Sequence, residues 1–163
     1  MKKLVVYYSL TGNTKFIAEI IAEATGADIL ELKTEKELLK KEGFMRYFWG
    51  GKKVMMREKP VLVPFDKNPK EYDVLFVGTP IWALNYAPPL RSFFSQVKLA
   101  NKKIALFCAS GGDKQKTFEN MKKELLGNEF IGEIDFIEPL NDKEECVERA
   151  RQWAKGIMRR LNL

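Results

Sequence analysis

The segment of this chain best suited to chemistry is Ser9-Leu10-Thr11-Gly12-Asn13-Thr14. It has three hydroxyl side chains, one amide and one glycine, and it lacks lysine, arginine, histidine and carboxylates. An apolar run of strand length precedes it and a stretch of helical periodicity follows it. Its backbone N–H groups therefore lie at the start of a helix, where the helix dipole favours an anion. Neutral donors in this position predict retention of a phosphate group.

Phosphoryl transfer is not expected at this segment. Enzymes that move phosphoryl groups usually recruit a lysine and Mg²⁺, and the segment matches neither GxxxxGK[ST] nor GxGxxG. An ordinary helix cap is the simplest alternative, because one Ser, Thr, Asn or Asp is enough to cap a helix. Four hydroxyl or amide side chains in six positions exceed that need, so phosphate binding is the preferred interpretation.

A second segment with binding character is GTPIWALNYAPPLR, at residues 78–91. Trp82 and Tyr86 follow a buried strand, at a place where large aromatic rings find little core to fill. They are predicted to stack on a flat ligand, with Thr79 and Asn85 forming hydrogen bonds to its edge. Three prolines stiffen the segment. The alternative is that Trp82 packs against a neighbouring helix.

The third segment is Cys108-Ala109-Ser110-Gly111-Gly112-Asp113. Its small residues allow the backbone to approach a planar ligand and to present amides to a polar edge. Glycine is common in turns between strands and helices, so this signal is weak by itself. In the C-x5-R loop of small tyrosine phosphatases an arginine binds phosphate, but Lys114 stands at that position here. Cys108 is interpreted as a small buried hydrophobic residue.

Composition excludes several classes of site. The chain has no histidine, which excludes Ser-His-Asp and Cys-His nucleophilic sites, HExxH zinc sites and histidine general bases. The two cysteines, Cys108 and Cys146, are far apart, so the chain has neither a CxxC redox pair nor a metal-binding knuckle. No catalytic side chain and no metal site are assigned.

The charge and hydropathy of the chain bear on its partners and location. The net charge is +6, but basic and acidic residues are interspersed, which is typical of a solvated surface. A nucleic-acid partner is therefore not expected. No apolar stretch reaches the roughly 20 residues of a membrane-spanning helix. We therefore expect no membrane insertion, and we expect a cytoplasmic location. The oligomeric state stays open.

The order of elements indicates how the three segments are positioned. Apolar runs of strand length alternate with stretches of helical periodicity, and the runs lie at 4–8, 29–32, 74–77, 104–108 and 130–137. This alternation predicts an α/β fold, a three-layer α/β/α doubly wound sheet of five parallel strands, in one domain over residues 1–163. Ligands of such sheets bind beyond the carboxyl ends of the strands, where all three segments are expected.

Residues 35–65 fit this alternation least well. Phe44, Tyr47 and Phe48 share one helical face, so a helix packed on the sheet is the simplest interpretation. A lid or partner-binding surface over residues 43–59 is the alternative, because exposed aromatic side chains need a reason.

The three segments, in this order, resemble those of the flavodoxin family. S-x-T-G-N-T at 9–14 is similar to the loop that binds the FMN phosphate, and T-P-I-W…P-P-x-R at 79–91 resembles the loop flanking the isoalloxazine ring. C-A-S-G-G-D at 108–113 is similar to the loop at the other face and pyrimidine edge of the ring. The resemblance implies strand order 2-1-3-4-5 and non-covalently bound FMN. It assigns cofactor binding to Ser9, Leu10, Thr11, Gly12, Asn13, Thr14, Thr79, Pro80, Ile81, Trp82, Ala83, Asn85, Tyr86, Ala109, Ser110, Gly111, Gly112 and Asp113.

The resemblance also implies a function. Flavodoxins carry electrons between redox partner proteins on FMN, so a carrier is expected rather than an enzyme that turns over a small substrate. The chain is basic whereas typical flavodoxins are acidic, which favours an acidic docking partner and a milder hydroquinone potential. The alternative is an FMN-dependent NAD(P)H:quinone-type oxidoreductase, with residues 43–59 as one wall of its pocket. A phosphatase-like enzyme on the same architecture ranks third.

One departure from the family pattern lies in the ring-flanking loop. Many flavodoxins have a glycine there, but Thr79–Ala87 contains none. A positive φ in this loop would therefore strain a residue that carries a Cβ. Strong stabilisation of the semiquinone is not expected.

Overall fold

The computed structural model describes residues 1–36, 58–114 and 116–162. Within them the strands are β1 (Lys3–Tyr7), β2 (Asp28–Glu31), β3 (Val74–Trp82), β4 (Asn85–Tyr86), β5 (Lys103–Ser110) and β6 (Glu129–Ile137). The helices are α1 (Asn13–Thr25), α2 (Pro88–Val97), α3 (Thr117–Glu124) and α4 (Lys143–Arg160), with a short 3-10 helix at Pro69–Glu71.

The sheet has the predicted parallel topology. Its order is β2-β1-β3-β5-β6, and the two-residue β4 pairs with β3 in antiparallel orientation, outside this order. If β4 is left out and the five parallel strands are numbered 1 to 5 along the chain, this order is 2-1-3-4-5. The prediction of a doubly wound sheet with this order is therefore confirmed. Side chains alternate across each strand: Val5 and Tyr7 lie in one core cluster with residues of α1 and α4, whereas Leu4 and Val6 lie in another with residues of α2 and α3.

The register of the central strands brings their carboxyl ends to one edge. Tyr7 of β1 pairs with Gly78 of β3, and Pro80 of β3 pairs with Ala109 of β5. Gly78 has a packing role, because a Cβ at this position would lie 2.1 Å from Cζ of Phe107. Glycine thus lets the Phe107 ring cross β3 directly below the edge.

The main difference from the sequence prediction lies in β3. A strand was expected over Val74–Val77 with a loop after it, but β3 continues to Trp82, turns, and returns as β4. Ile81 pairs with Tyr86, and Trp82 pairs with Asn85. Backbone pairing thus continues where aromatic residues and Pro80 had indicated an irregular loop. The segment 79–87 is called the hairpin below.

Most of the poorly fitting stretch 35–65 cannot be compared with its prediction. The predicted helix with Phe44, Tyr47 and Phe48 lies outside the described residues, as does nearly all of the lid or partner surface predicted for residues 43–59. The described residues that follow, from Glu58 onwards, contact α2, because the Ser92 hydroxyl donates a hydrogen bond to the carbonyl oxygen of Pro60 at 2.7 Å.

The outermost strand β6 is covered at its backbone by two arginines of α4. Nη2 of Arg149 donates to the carbonyl oxygen of Asp135 at 3.2 Å, and Nη2 of Arg160 donates to that of Ile131 at 3.0 Å. An edge strand with unsatisfied backbone groups is a template for pairing with another chain. These arginines therefore occupy acceptors that a second strand would need.

The cysteines are separated by the sheet. Cys108 and Cys146 are both buried free thiols, and they lie in the two different core clusters. Burial raises the pKa of Cys108 to about 12, which fits its interpretation as a small hydrophobic residue. The described residues contain no group of three or more His, Cys, Asp or Glu side chains arranged to hold a metal ion. No helix among them is long and apolar enough to cross a membrane.

Candidate functional site

The first segment forms the turn that leads from β1 into α1. Gly12 has φ 93°, a left-handed conformation that glycine adopts without steric cost. Among the described residues, no side chain caps the start of α1. Thr14 is 1% exposed, and its hydroxyl has no hydrogen-bond partner in the part of the chain that the structure describes. A buried hydroxyl left unpaired costs about 1–3 kcal/mol, so this one calls for an acceptor from outside the described chain.

The other polar side chains of the turn hold its shape. The Gly12 N–H donates to Oγ of Ser9 at 3.2 Å, and Nδ2 of Asn13 donates to Oγ1 of Thr11 at 3.1 Å. Oδ1 of Asn13 accepts a hydrogen bond from the Leu140 N–H at 3.1 Å. Asn13 therefore links this turn to the loop between β6 and α4. Leu10 is partly buried against the core, so it contributes its backbone to the turn.

In the hairpin, the residues expected to meet a flat ligand also contact the protein itself. Trp82 is 6% exposed, and its ring lies edge-on to Tyr8 at a centroid distance of 5.7 Å and an interplanar angle of 84°. The fully buried Thr79 hydroxyl donates to the Pro80 carbonyl at 2.8 Å and accepts from the Ala87 N–H at 3.0 Å. Trp82 thus packs against the residue that follows β1, and Thr79 fastens the base of the hairpin to the start of α2.

The outgoing strand of the hairpin is attached to α3. Oδ1 of Asn85 accepts from Nδ2 of Asn120 at 3.2 Å, and the Tyr86 hydroxyl donates to Oε1 of Glu124 at 3.1 Å. Tyr86 is 2% exposed, and burial raises its pKa to about 12. The guanidinium of Arg91 lies 5.7 Å from the centroid of its ring. Asn120, Glu124 and Arg91 were not assigned to the site from the sequence.

The tip of the hairpin carries the backbone strain that its lack of glycine implied. Ala83 has φ 48° and Leu84 has φ 67°, so two consecutive residues with a Cβ adopt the left-handed region. A two-residue hairpin turn with both φ values positive matches the twist of the strands and normally uses Asn-Gly or similar pairs. Leu84 is 59% exposed, while Pro80 and Ile81 are partly buried in β3. The paired residues on both sides hold the strained turn.

The third segment leaves β5 beside the hairpin. The Ser110 hydroxyl contacts the carbonyl oxygen of Gly112 and accepts from the Gly112 N–H at 3.3 Å. Among the atoms of the described residues, a Cβ on Gly112 would meet none within 4 Å, and one on Gly111 would meet only Oε1 of Glu138, at 3.9 Å. Packing within the described chain thus does not require either glycine, and the open space above them suits a planar ligand. Ala109 below is buried and Asp113 is exposed.

Sequence reasoning missed a fourth segment at this edge, the loop between β6 and α4. The Glu138 N–H donates to the carbonyl oxygen of Ser110 at 2.8 Å. Cδ1 of Leu140 lies 3.8 Å from the position of a Cβ on Gly12. The loop therefore contacts both the first and the third segment. Its residue types carry no signal for this role.

One ion pair lies beside the third segment. Nζ of Lys114 lies 3.2 Å from Oδ1 of Asp135, and this hydrogen bond raises the pKa of Lys114. The same ammonium lies 5.8 Å from the ring centroid of Phe118. The thiol of Cys108 stays protonated at neutral pH because its pKa is raised to about 12. The donors that this edge offers are therefore mainly neutral hydroxyls, amides and backbone N–H groups.

The chain resembles flavodoxins and flavoproteins in both sequence and structure. Residues 2–138 match a family model described as Flavodoxin. The chain is similar in structure to a provisionally named flavoprotein from Bacteroides eggerthii, with 23% sequence identity and a TM-score of 0.77 over 96% of this chain and 97% of that one.

Two further solved structures have the same fold. A flavoprotein from Lactobacillus acidophilus NCFM, solved in complex with FMN, has 22% identity and a TM-score of 0.67 over 86% of this chain and 97% of its own. A two-electron reduced flavodoxin from Megasphaera elsdenii has 23% identity and a TM-score of 0.60 over 94% of this chain and 99% of its own. At these identities the likeness establishes the fold.

Proposed function

The chain belongs to the flavodoxin family, and on that basis we propose that it binds FMN non-covalently and carries electrons between redox partner proteins. The observation that carries this proposal is the buried Thr14 hydroxyl at the start of α1, which has no hydrogen-bond partner among the residues that the structure describes. A phosphate oxygen of FMN would accept from this hydroxyl and from the first N–H groups of the helix. When bound, FMN supplies the redox chemistry, and the protein holds and orients it.

The two ends of the cofactor would meet different parts of the edge. The phosphate would lie within the turn 9–14, whose side-chain hydrogen bonds already fix its shape. The ring would lie between the hairpin and the glycines Gly111 and Gly112, above which the described chain leaves space. Residues proposed to flank the ring are Thr79, Pro80, Ile81, Trp82, Ala83, Asn85, Tyr86, Ala109, Ser110, Gly111, Gly112 and Asp113.

The charge and the thiols of the chain bear on the partner and the location of the proposed carrier. Burial raises the pKa values of Tyr86 and Cys108 to about 12, so neither side chain serves as an acid or base at neutral pH. The net charge of +6 favours an acidic redox protein as partner, because opposite charges accelerate encounter. The proposal places this exchange in the cytoplasm, where buried free thiols such as Cys108 and Cys146 are ordinary.

Anaerobic stopped-flow spectroscopy separates a carrier from an oxidoreductase. The FMN-loaded protein is mixed with NADH or NADPH, with and without a quinone, while the flavin absorbance is followed. A carrier keeps its flavin oxidised until a catalytic amount of a flavodoxin reductase is added. Rapid oxidation of NAD(P)H by the protein alone would refute the carrier assignment and favour the quinone-type oxidoreductase.

Salt dependence tests the charge of the partner. Association with an acidic redox protein is expected to weaken as ionic strength rises, because the Debye length falls from about 10 Å at 0.1 M to about 3 Å at 1 M. The measurement is the rate of electron transfer to that protein at several salt concentrations. A rate that does not change with salt would contradict the acidic-partner proposal and leave FMN binding unaffected.

A further inference from the structure

We propose that Asn120 and Glu124 are positioning residues that set the separation between the hairpin and the Ser110–Gly112 loop, and thereby the affinity for the flat end of the cofactor. The inference rests on the proposed function. Both residues belong to α3, outside the three segments that the sequence singled out. They act through the hairpin, by hydrogen bonds to its outgoing strand.

The helix α3 presents two different faces. Phe118 and Met121 of the helix, with Leu125 directly after it, are buried in the core cluster on this side of the sheet. Asn120 and Glu124 are four residues apart, so they lie one above the other on a neighbouring face. Hydrophobic packing thus anchors the helix, while its polar side chains extend to the hairpin.

Both residues of β4 are bonded to this helix. Nδ2 of Asn120 donates to Oδ1 of Asn85 at 3.2 Å, and Oε1 of Glu124 accepts from the Tyr86 hydroxyl at 3.1 Å. Oδ1 of Asn85 also accepts from the Tyr86 N–H at 2.9 Å. Because β4 consists of these two residues alone, α3 holds the whole outgoing strand of the hairpin.

These bonds close a frame around the proposed ring position. At its base β3 and β5 pair directly, with Thr79 opposite Cys108. From there the hairpin continues β3, while the Ser110–Gly112 loop leads from β5 towards α3. Pairing of β3 with β5 fixes the distance between the hairpin and the loop where they leave the sheet. Farther from the sheet, the hydrogen bonds from α3 to β4 fix the position of the hairpin. Loss of either bond would let the two walls move apart.

The expected effect is confined to the ring end of the site. A hydrogen bond of this kind contributes about 1 kcal/mol, which corresponds to about a fivefold change in dissociation constant. Loss of the Asn120 bond or the Glu124 bond should therefore weaken binding of FMN, and of riboflavin, about fivefold. Binding of inorganic phosphate at the turn 9–14 should not change, because neither residue touches that turn among the described contacts.

The test uses four variants of the full chain. Asn120→Ala and Glu124→Ala each remove one bond, whereas Glu124→Gln keeps a side-chain oxygen that can accept from the Tyr86 hydroxyl. Glu119→Ala is the matched control, since Glu119 is exposed on the same helix and has no described hydrogen bond to the hairpin. Dissociation constants for FMN, riboflavin and inorganic phosphate are measured by isothermal titration calorimetry, and Tm is measured on each apoprotein.

We expect Asn120→Ala and Glu124→Ala to bind FMN and riboflavin more weakly than the unmodified chain and to bind phosphate equally well. Glu124→Gln and Glu119→Ala should bind all three ligands almost as the unmodified chain does. A merely structural role would lower Tm and leave the riboflavin dissociation constant unchanged, which would overturn the inference. Equal losses in Glu124→Gln and Glu124→Ala would also overturn it. If the unmodified chain bound neither FMN nor riboflavin, the proposed function itself would fail.

Discussion

Replacing Thr14 with valine should change two measurable quantities in opposite directions. Valine keeps the shape and β-branching of threonine but removes the hydroxyl, which is buried and has no partner among the described residues. An unpaired buried hydroxyl costs about 1–3 kcal/mol. The free energy of unfolding of the Thr14→Val apoprotein should therefore rise, by about 1 kcal/mol.

The affinity of the same variant for FMN should fall. A hydrogen bond to a charged group contributes about 1.5–3 kcal/mol, so loss of the Thr14 bond to the phosphate corresponds to a 10- to 100-fold higher dissociation constant, in round numbers. Riboflavin lacks the phosphate, and its affinity should not change. Thr14→Ser keeps the hydroxyl, so it should retain most of the FMN affinity while losing the packing of one methyl group.

Urea denaturation of the apoprotein measures the first quantity, and quenching of flavin fluorescence on titration with FMN or riboflavin measures the second. The reasoning is refuted if Thr14→Val binds FMN as tightly as the unmodified chain. It is equally refuted if the variant loses stability, because the hydroxyl would then be satisfied within the protein.

Three further predictions concern the turn, the sheet edge and the thiols. Ala83→Gly should raise the free energy of unfolding by about 0.5–1 kcal/mol, because relief of left-handed strain exceeds the entropic cost of glycine; lower stability in urea would contradict the strained turn. The double variant Arg149→Ala/Arg160→Ala uncovers backbone acceptors of β6, so it should self-associate more than the unmodified chain. Light scattering measures this, and an unchanged mass at high concentration would contradict the idea that the two arginines protect the edge strand. Cys108 and Cys146 should react with a thiol reagent at pH 8 only after denaturation, since burial raises both pKa values; rapid reaction of the native protein would contradict their burial.

Much of the fold was predictable because it follows from local patterns. The apolar run at 4–8 indicated a strand, and β1 is a strand that is buried on both faces, as such continuous runs usually are. The stretch of helical periodicity after the first segment indicated a helix, and α1 is that helix, with Ile17 and Ile21 buried and Gly26 at its carboxyl end. In each case residues close together in sequence carried the signal.

The hairpin was not predictable by the same means. Its turn is Ala83-Leu84 instead of a pair such as Asn-Gly, so the usual sequence signature of a two-residue hairpin is missing. Pro80 further favoured a loop, although it lies within β3. Pairing of Trp82 with Asn85 and tertiary contacts outweighed these local preferences.

Contacts between distant residues account for the rest. Asn13 accepts a hydrogen bond from Leu140, 127 positions away, and Asn85 accepts one from Asn120. A single sequence contains no pattern for such pairs, because each depends on where the sheet order places two segments that are distant along the chain. The residues of the candidate site could therefore be proposed from the sequence, whereas the contacts that hold them in place could not be predicted from it.

The central claim is that this chain holds FMN, and analysis of the purified protein tests it most directly. The protein is denatured, and any released chromophore is identified by mass spectrometry and quantified against the protein concentration. We expect a yellow protein that releases one FMN per chain, and an apoprotein that takes FMN up again. A colourless protein that binds no added FMN would contradict it.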